Sequence, residues 1–385
     1  MAIVDQSQAA LRDHYENIII LQALLRNSTI VDLPERYVWT QALRHNSTSS
    51  NAAQELADLA LPIIDISCLA ENDSGDPAAK RRVSAEISAA CEQWGFFQIV
   101  NHGIPKELMD DVDVQARKFF ALPVEIKEKA KYDVNLKKDK AVCGYNGRLP
   151  RLSYNTPWME YFSDRGEVET LTRMIWPDGN PTLSKPLQEF WENLHRLGKR
   201  LLEVVAVELG LEARFFSQLF DENIYHRSTW RYNHYPACPR PDLTLAMGPH
   251  SDPNLLTLLR QDAVGGLQVK RAGKWVDVTP VPGALIINVG DALEAWSNGR
   301  FKSVEHRVLV NEHRDRFSAV YLMAPAENQI VGAPPQLIDE EHPSLYRPFL
   351  YGDYMEHMMS IRLAGKNCLD YARRYEATPQ QATPS

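Results

Sequence analysis

Apolar positions along the chain fall into two textures that meet near residue 228. Between Lys185 and Leu209, the residues Leu187, Phe190, Leu194, Leu197, Leu201, Val205 and Leu209 recur at spacings of three or four. That spacing keeps one face of a 3.6-residue turn apolar, so a long amphipathic helix is predicted there. A helix is also expected from residue 79 to Trp94, and another from Pro105 to Phe120, stopping before Pro123. A proline ring cannot continue a helix. Two apolar runs interrupt this helical half. LPIIDI (61–66) reads as a short strand, and WGFFQIVNHG reads as a buried strand that turns at Gly103.

After Ser228 the helical period disappears. WRYNHYP, NLLTLLRQ, GGLQVKR, KWVDVTP, GALIINVG, HRVLVN and RFSAVYLMAP follow one another, each short and each set off by Pro, Gly or Asn. Many short strands with turn signals at close spacing predict a sandwich or barrel. The ends differ from both halves. Residues 1–60 read as an arm with a helical start, then LPERYVWT, then the polar run HNSTSSN as a linker. The segment after Arg374, YEATPQQATPS, reads as a disordered tail.

Composition narrows the function classes. A net charge of −8 argues against a broad nucleic-acid surface, which is ordinarily basic. The five cysteines (Cys68, Cys91, Cys143, Cys238, Cys368) are scattered, odd in number and without a CxxC pair. A disulfide framework and a thiolate zinc site are therefore not expected, and a reducing compartment is. The start, MAIVDQSQAALRDHY, lacks the basic stretch and apolar core of a signal peptide, and isoleucines 18–20 lie in a run far short of membrane-spanning length. The expectation is a cytoplasmic protein with a small-molecule substrate and neither a nucleic-acid nor a membrane partner. Its oligomeric state is left open.

The chemistry concentrates in the β-rich half. His250 and Asp252 stand two residues apart, which on a strand points both side chains to one face. His306 follows Asp252 by 54 residues, enough chain for several strands to return beside the first. Two histidines and one carboxylate on one side of a metal leave positions open for substrate and oxygen, a set that suits non-haem Fe(II). Alone, the His-x-Asp pair is a weak signal, because short polar pairs commonly serve turns and caps. Arg316 and Ser318 add to it. They alternate inside RFSAVYLMAP, and an inward-facing arginine on a strand needs an anion. Taken alone, a structural ion pair with one of the 50 acidic residues is the better explanation of the arginine. Asn233 and Tyr235 alternate in the same way in WRYNHYP, where core packing is the plain alternative. The ordered set NxYP, HxD, H, RxS is far more specific than any member.

These motifs resemble those of the plant 2-oxoglutarate- and Fe(II)-dependent dioxygenases, over nearly the whole length from LPIIDI to about Met359. LPIIDIS, CEQWGFFQIVNHGIP and FFALPVEIK resemble that family's N-terminal region. NHYPACPRPDLTLAMGPHSDP, GALIINVGDALEAWSNGRFKSVEHRV and RFSAVYLMAP resemble its iron and co-substrate motifs. The resemblance implies an α+β protein with a mainly β core: a double-stranded β-helix (jelly roll) wrapped by helices. It implies Fe(II) on His250, Asp252 and His306. It implies 2-oxoglutarate on Arg316, Ser318 and Tyr235, with Asn233 supporting the iron-bound end, and O2 and ascorbate as oxidant and reductant. The organisation expected is an arm at 1–60, a helix-and-strand region at 61–225, the jelly-roll core at 226–360, and a C-terminal helix and tail at 361–385.

Within the family the likeness is to gibberellin oxidases, gibberellin 20-oxidases above all, through PACPRPDLTLAMGPHSDP and TPWMEYFS. It implies successive oxidation of a gibberellin precursor, an apolar carboxylic acid. His234 and Ala237 depart from that group, and Leu258-Leu259-Arg260 resembles gibberellin 2-oxidases, which inactivate the hormone. A flavonoid-type dioxygenase, a non-catalytic jelly-roll binding protein and a nucleic-acid demethylase are the other readings. A covering loop is expected near 141–165, where Tyr145, Trp158 and Phe162 would cover an apolar skeleton and Arg148 and Arg151 would pair with its carboxylate. His102 is assigned to a structural turn, and His313 to a solvated turn with Asn311, Glu312, Arg314 and Asp315.

Overall fold

Alternation with a period of two decides which environment each side chain of a strand meets. The structure, a computed structural model, describes residues 33–44, 60–70, 76–131, 144–146, 156–165, 168–221, 227–361 and 366–374. The expected helical start of the arm, Cys143, and the segment after Arg374 lie outside these residues.

Fourteen strands are described, in chain order: β1 (Ile63–Asp65), β2 (Phe96–Val100), β3 (Gly144–Asn146), β4 (Glu160–Asp164), β5 (Thr229–Tyr235), β6 (Met247–His250), β7 (Leu256–Gln261), β8 (Leu267–Arg271), β9 (Lys274–Asp277), β10 (Leu285–Val289), β11 (His306–Val308), β12 (Arg316–Met323), β13 (Ile330–Val331) and β14 (Phe349–Leu350). The larger sheet runs β1-β2-β10-β7-β12-β5-β4-β3, the smaller β6-β11-β8-β9, and β13 pairs β14. Together with flanking helices this is the mainly β jelly roll that the motifs implied. Each strand-like run after Ser228 became a strand. β3, β4, β6, β13 and β14 carried too few residues of clear alternation to be found.

The α-helices of six residues or more are α1 (Pro77–Gln93), α2 (Lys106–Phe120), α3 (Val168–Ile175), α4 (Pro181–Glu208), α5 (Asp291–Trp296) and α6 (Tyr351–Ile361). α1 starts where Asp76 accepts the Ala78 amide at 2.9 Å ahead of Pro77, a strong N-terminal signal. α4 buries the predicted stripe and packs on the outer face of β7 and β12. α5 has no counterpart among the expected elements; α6 ends at Ile361, and within the expected 361–385 segment Lys366–Tyr371 forms a 3-10 helix. The described part of the arm joins the folded body: Tyr37 and Trp39 are buried, and the Trp39 amide donates to the Leu243 carbonyl at 2.8 Å. Among the described residues, no helix is long and apolar enough to cross a membrane.

The central strands of the large sheet are buried on both faces, whereas its edge strand β1 exposes Ile63 and Asp65. On β5, Trp230 and Tyr232 join the helical core, whereas Thr229, Arg231, Asn233 and Tyr235 line a cavity between the sheets. On β12, Phe317, Ala319, Tyr321 and Met323 face the helices, and Val320 and Leu322 line the cavity. Arg260, part of the gibberellin 2-oxidase-like run, points outward and pairs with Asp113 of α2 at 2.5 Å. That departure therefore lies behind the cavity wall, and only its neighbour Leu259 lines the cavity.

A buried ionic chain ties the helical half to the jelly roll. Lys127, with no exposed surface, reaches Glu160 of β4 at 2.8 Å. Glu160 bonds His234 at 2.7 Å, and His234 bonds Asp315 at 2.9 Å. Tyr145 also donates to Glu160. The expected turn at 311–315 is exposed, but its Asp315 carboxylate turns back to accept from His234 and the Ala237 amide. Burial pushes the Glu160 carboxyl up, yet the His234 bond and the Lys127 and His234 charges outweigh it and hold it at about 2. Burial lowers the His234 pKa, but bonds and charges from Asp315 and Glu160 outweigh it, so the net shift is upward.

Breaking a buried charged pair leaves the other charge uncompensated, so Glu160→Gln is expected to lose about 3–5 kcal/mol in urea unfolding. The stabilisation from protonated His234 is fully present below its unfolded pKa of about 6.5 and fades as pH rises through its folded value. The difference in urea midpoint between wild type and His234→Gln should therefore shrink as pH is raised from 6.

Candidate active site

β6 ends at His250, and β11 begins at His306 directly opposite it in the antiparallel register. The two imidazoles lie with ring centres 4.2 Å apart. Each ring places Nδ1 against a backbone carbonyl two residues back: His250 on Gly248 at 2.8 Å and His306 on Val304 at 3.1 Å. A carbonyl only accepts, so Nδ1 carries the proton and Nε2 presents a lone pair.

Asp252 is not on the strand, as the spacing argument had it, but in the turn that follows. Its carboxylate is aimed by side-chain bonds instead. Oδ2 accepts from Thr257 at 2.6 Å and from Asn288 at 2.8 Å. Oδ1 faces the two imidazoles, 3.8 Å from His250 Nε2 and 3.7 Å from His306 Nε2. The three ligand atoms lie within 4.8 Å of one another, the single such cluster among the described residues. Burial, then the neighbouring His306, hold the His250 pKa down at about 4. Asp252 is held below its usual range because the two histidines and its two hydrogen bonds outweigh the effect of burial. Neutral imidazoles and an ionised carboxylate are the protonation states a metal needs. Three donors converging from one side, each oriented by a second bond, fit a divalent metal of the Fe(II) kind.

The backbone around Asp252 is fixed by α5. The amides of Gly290, Asp291 and Ala292 donate to the carbonyls of Leu255, Asp252 and Asn254 at 2.8, 2.7 and 3.2 Å. Gly290 permits this approach, since a Cβ there would meet the Asn254 carbonyl oxygen at 2.0 Å.

On the larger sheet, β12 pairs β5 so that Arg316 opposes Tyr235 and Ser318 opposes Asn233. Arg316 is 1% exposed, yet only its Nη2 is bonded, to Gln261 at 3.1 Å. Its Nε and Nη1 are buried without a partner, as is Asn233 Oδ1. No carboxylate pairs with Arg316 among the described residues, which removes the structural ion pair as its explanation. Tyr235 OH lies 3.5 Å from Ser318 Oγ, and Asn233 Nδ2 donates to Ser318 at 3.1 Å. Two unsatisfied guanidinium donors beside two hydroxyls form a cradle for a carboxylate.

Comparison with known proteins agrees with this geometry. Residues 226–325 match the 2OG-Fe(II) oxygenase superfamily, and residues 61–178 match the non-haem dioxygenase in morphine synthesis N-terminal family. The chain is 34% identical to gibberellin 20 oxidase 2 of Oryza sativa subsp. japonica, covering 90% of this chain and 86% of that protein. It is 35% identical to flavanone 3-dioxygenase 2 of the same subspecies, covering 91% and 97%. The crystal structure of JOX2 in complex with 2OG, Fe and JA superposes with a TM-score of 0.76 at 32% identity, covering 92% of this chain and 97% of that one. This chain belongs to the 2OG-Fe(II) oxygenase superfamily. It is an oxidoreductase that uses Fe(II) and 2-oxoglutarate.

The oxygenase cavity has a volume of about 570 Å³, inside the usual range for small-molecule sites. His250, Asp252, His306, Asn233 and Tyr235 line it. The residues proposed to cover a substrate do not. Tyr145 and Phe162 pack against Phe119 in the helical core, and Trp158 is buried against Tyr37 with its indole nitrogen on the Pro236 carbonyl. Their aromatic character reports core packing. Arg148 and Arg151 lie outside the described residues. His102 is a structural turn residue, its Nε2 on the Gly283 carbonyl at 2.9 Å.

Sequence reasoning missed the residues that line the rest of the cavity. Arg231 of β5 faces inward with Asn233 and Tyr235, and Asn288 does so from β10. Extending the same alternation by two residues would have found Arg231. Tyr351, Met355, Met358 and Met359 close one wall from α6, whose MEHMM run was left without a role.

Loss of an oriented second bond on a metal ligand typically weakens metal binding about 10–100-fold. Thr257→Val and Asn288→Ala are each expected to do so in a Mn(II) titration of the purified protein, with the fold retained by circular dichroism.

Proposed function

We propose that this oxygenase oxidises an apolar carboxylic acid of the gibberellin-precursor type. In this reading His250, Asp252 and His306 hold Fe(II), and Arg316, Ser318, Tyr235 and Asn233 hold 2-oxoglutarate. Iron bound there supplies the oxygen activation that couples 2-oxoglutarate decarboxylation to oxidation of a substrate C–H bond. The chain's own groups do the rest. Arg316 neutralises the far carboxylate of the co-substrate, the Asp252 supports fix the ligand geometry, and the apolar walls exclude water.

Arg231 carries the substrate reading. Its guanidinium stacks over the Tyr161 ring at 4.3 Å and faces the cavity, and its Nε is buried without a partner. No carboxylate pairs with Arg231 among the described residues. Arg165 and Arg227 also line the cavity, the latter paired with Glu327, and Val320, Leu322, Met355 and Met358 give it apolar walls. A cation without a carboxylate partner on a largely apolar wall is best complemented by a molecule that carries an anionic group. A flavanone offers no carboxylate to it. The likeness of PACPRPDLTLAMGPHSDP and TPWMEYFS to gibberellin 20-oxidases supports a gibberellin precursor as that acid.

The test is turnover by purified enzyme with Fe(II), 2-oxoglutarate and ascorbate, offered gibberellin precursors, JA and a flavanone, with products identified by mass spectrometry. Oxidation of a gibberellin precursor is expected; oxidation of the flavanone with no acid turned over would overturn the reading. A hydrogen bond to a charged group is worth about 1.5–3 kcal/mol, so Arg231→Gln should raise KM for the acid roughly 10–150-fold. KM for 2-oxoglutarate should stay within about 2-fold, because Arg316 and not Arg231 meets its far end.

A further inference from the structure

A buried carboxylate that the chemistry does not use connects the metal-holding turn to the wall of the cavity. Asp291, at the start of α5, has no exposed surface. Its amide donates to the Asp252 carbonyl at 2.7 Å, and its Oδ2 accepts from Ser251 Oγ at 3.0 Å. The same Oδ2 accepts from Tyr354 of α6 at 2.6 Å. One oxygen thus joins the residue between two metal-site side chains to a helix that is remote in sequence.

α6 is built to feel that link. Tyr351 and Tyr354 are buried at its root, while Met355 and Met358, one turn on, are half-buried against the cavity and Met359 is 67% exposed. Residues three and four apart share a helix face, so the tyrosine anchors and the methionine wall move as one body. Methionine walls adapt to the shape of what they cover. The helix has a firm polar tether at one point and soft apolar contacts elsewhere.

We propose that Asp291 and Tyr354 are positioning residues that couple occupancy of the metal site to the placement of α6 over the substrate cavity. The proposal rests on the metal reading of His250, Asp252 and His306. Ordering the turn at Ser251–Asp252 fixes Asp291 through two bonds, and Asp291 fixes Tyr354. Substrate then meets a closed apolar wall only when the metal is in place. Substrate binding to α6 tightens the same turn in return, as linkage requires.

The test is hydrogen exchange of the α6 amides, residues 351–361, in the full-length protein with and without Mn(II), alongside a Mn(II) titration. In wild type the metal is expected to slow exchange in α6 by about 5-fold or more, the lower end of typical coupling between sites. Tyr354→Phe removes one hydroxyl and keeps the ring packed on Phe349 and Tyr371. That variant should still bind Mn(II), with a constant within about 5-fold of wild type, yet lose most of the protection. Ser251→Ala, which cuts the link at its other end, should do the same. Mn(II) bound with no change in α6 exchange would overturn the proposal, as would full protection in both variants. Absence of Mn(II) binding to wild type would overturn the metal reading and this proposal with it. As a second readout, Tyr354→Phe should release more succinate per oxidised product, whereas a merely structural loss would lower both together.

Discussion

The pairing of β11 with β6 is the constraint on which the rest of the site depends, because it sets His306 opposite His250. Side chains alternate along a strand, so a slip of one residue would turn His306 out and Arg307 in. The structure guards against that slip from the opposite face. Arg307 is fully buried there, its Nε bonded to Gln268 at 2.8 Å and its guanidinium stacked 4.3 Å from the Trp275 ring. It also reaches the Leu43 carbonyl of the arm at 2.5 Å. Burial lowers its pKa to about 10, which still leaves it charged at neutral pH. An arginine so engaged cannot be moved into the cavity without abandoning several bonds. The register of the metal site is thereby held by a residue that never touches it.

The two sheets divide the polar groups between them. His250 and His306 stand on β6 and β11 of the smaller sheet, with Asp252 in the turn after β6, and Asn233, Tyr235, Arg316 and Ser318 stand on β5 and β12 of the larger one. This arrangement is possible because the central strands of the large sheet are buried on both sides. The helical stripe of α4 covers one face, so the other can devote itself to ligands without exposing the barrel to water. Each polar atom left unsatisfied at the cavity is then a statement about an absent partner. Arg316 Nε and Nη1, Asn233 Oδ1 and Arg231 Nε all make that statement, at two separate positions.

Periodicity made much of this legible. The stripe from Leu187 to Leu209 and the short runs after Ser228 gave the helix and strands, because each repeats its pattern several times. The pairs Asn233/Tyr235 and Arg316/Ser318 followed from the same alternation. What stayed hidden lacked a local pattern. Asp252 is aimed by Thr257 and Asn288, of which Asn288 comes from a distant strand, and spacing alone put the aspartate on a strand it does not occupy. Tyr145, Trp158 and Phe162 are aromatic near the expected mouth, but burial against α2 and the arm is a tertiary fact. The methionines of α6, neither charged nor β-branched, signal a wall only once a cavity faces them.

The division between chemistry and substrate follows from where these residues sit. The groups that fit iron and 2-oxoglutarate stand on paired strands or are bonded to them, so a fold match carries them along. The substrate walls come from the outer part of β5, from β12 and from a helix beyond the jelly roll, where side chains change without disturbing any register. Similarity at about one third identity reaches a gibberellin oxidase, a flavanone dioxygenase and a structure with JA bound. Overall likeness of that degree speaks for the shared core and is silent on the walls. The choice among substrates therefore falls to individual cavity groups, among them Arg231, which no carboxylate pairs among the described residues. An anionic group on a substrate would supply a partner there, whereas a neutral substrate would bury the charge with nothing to offset it.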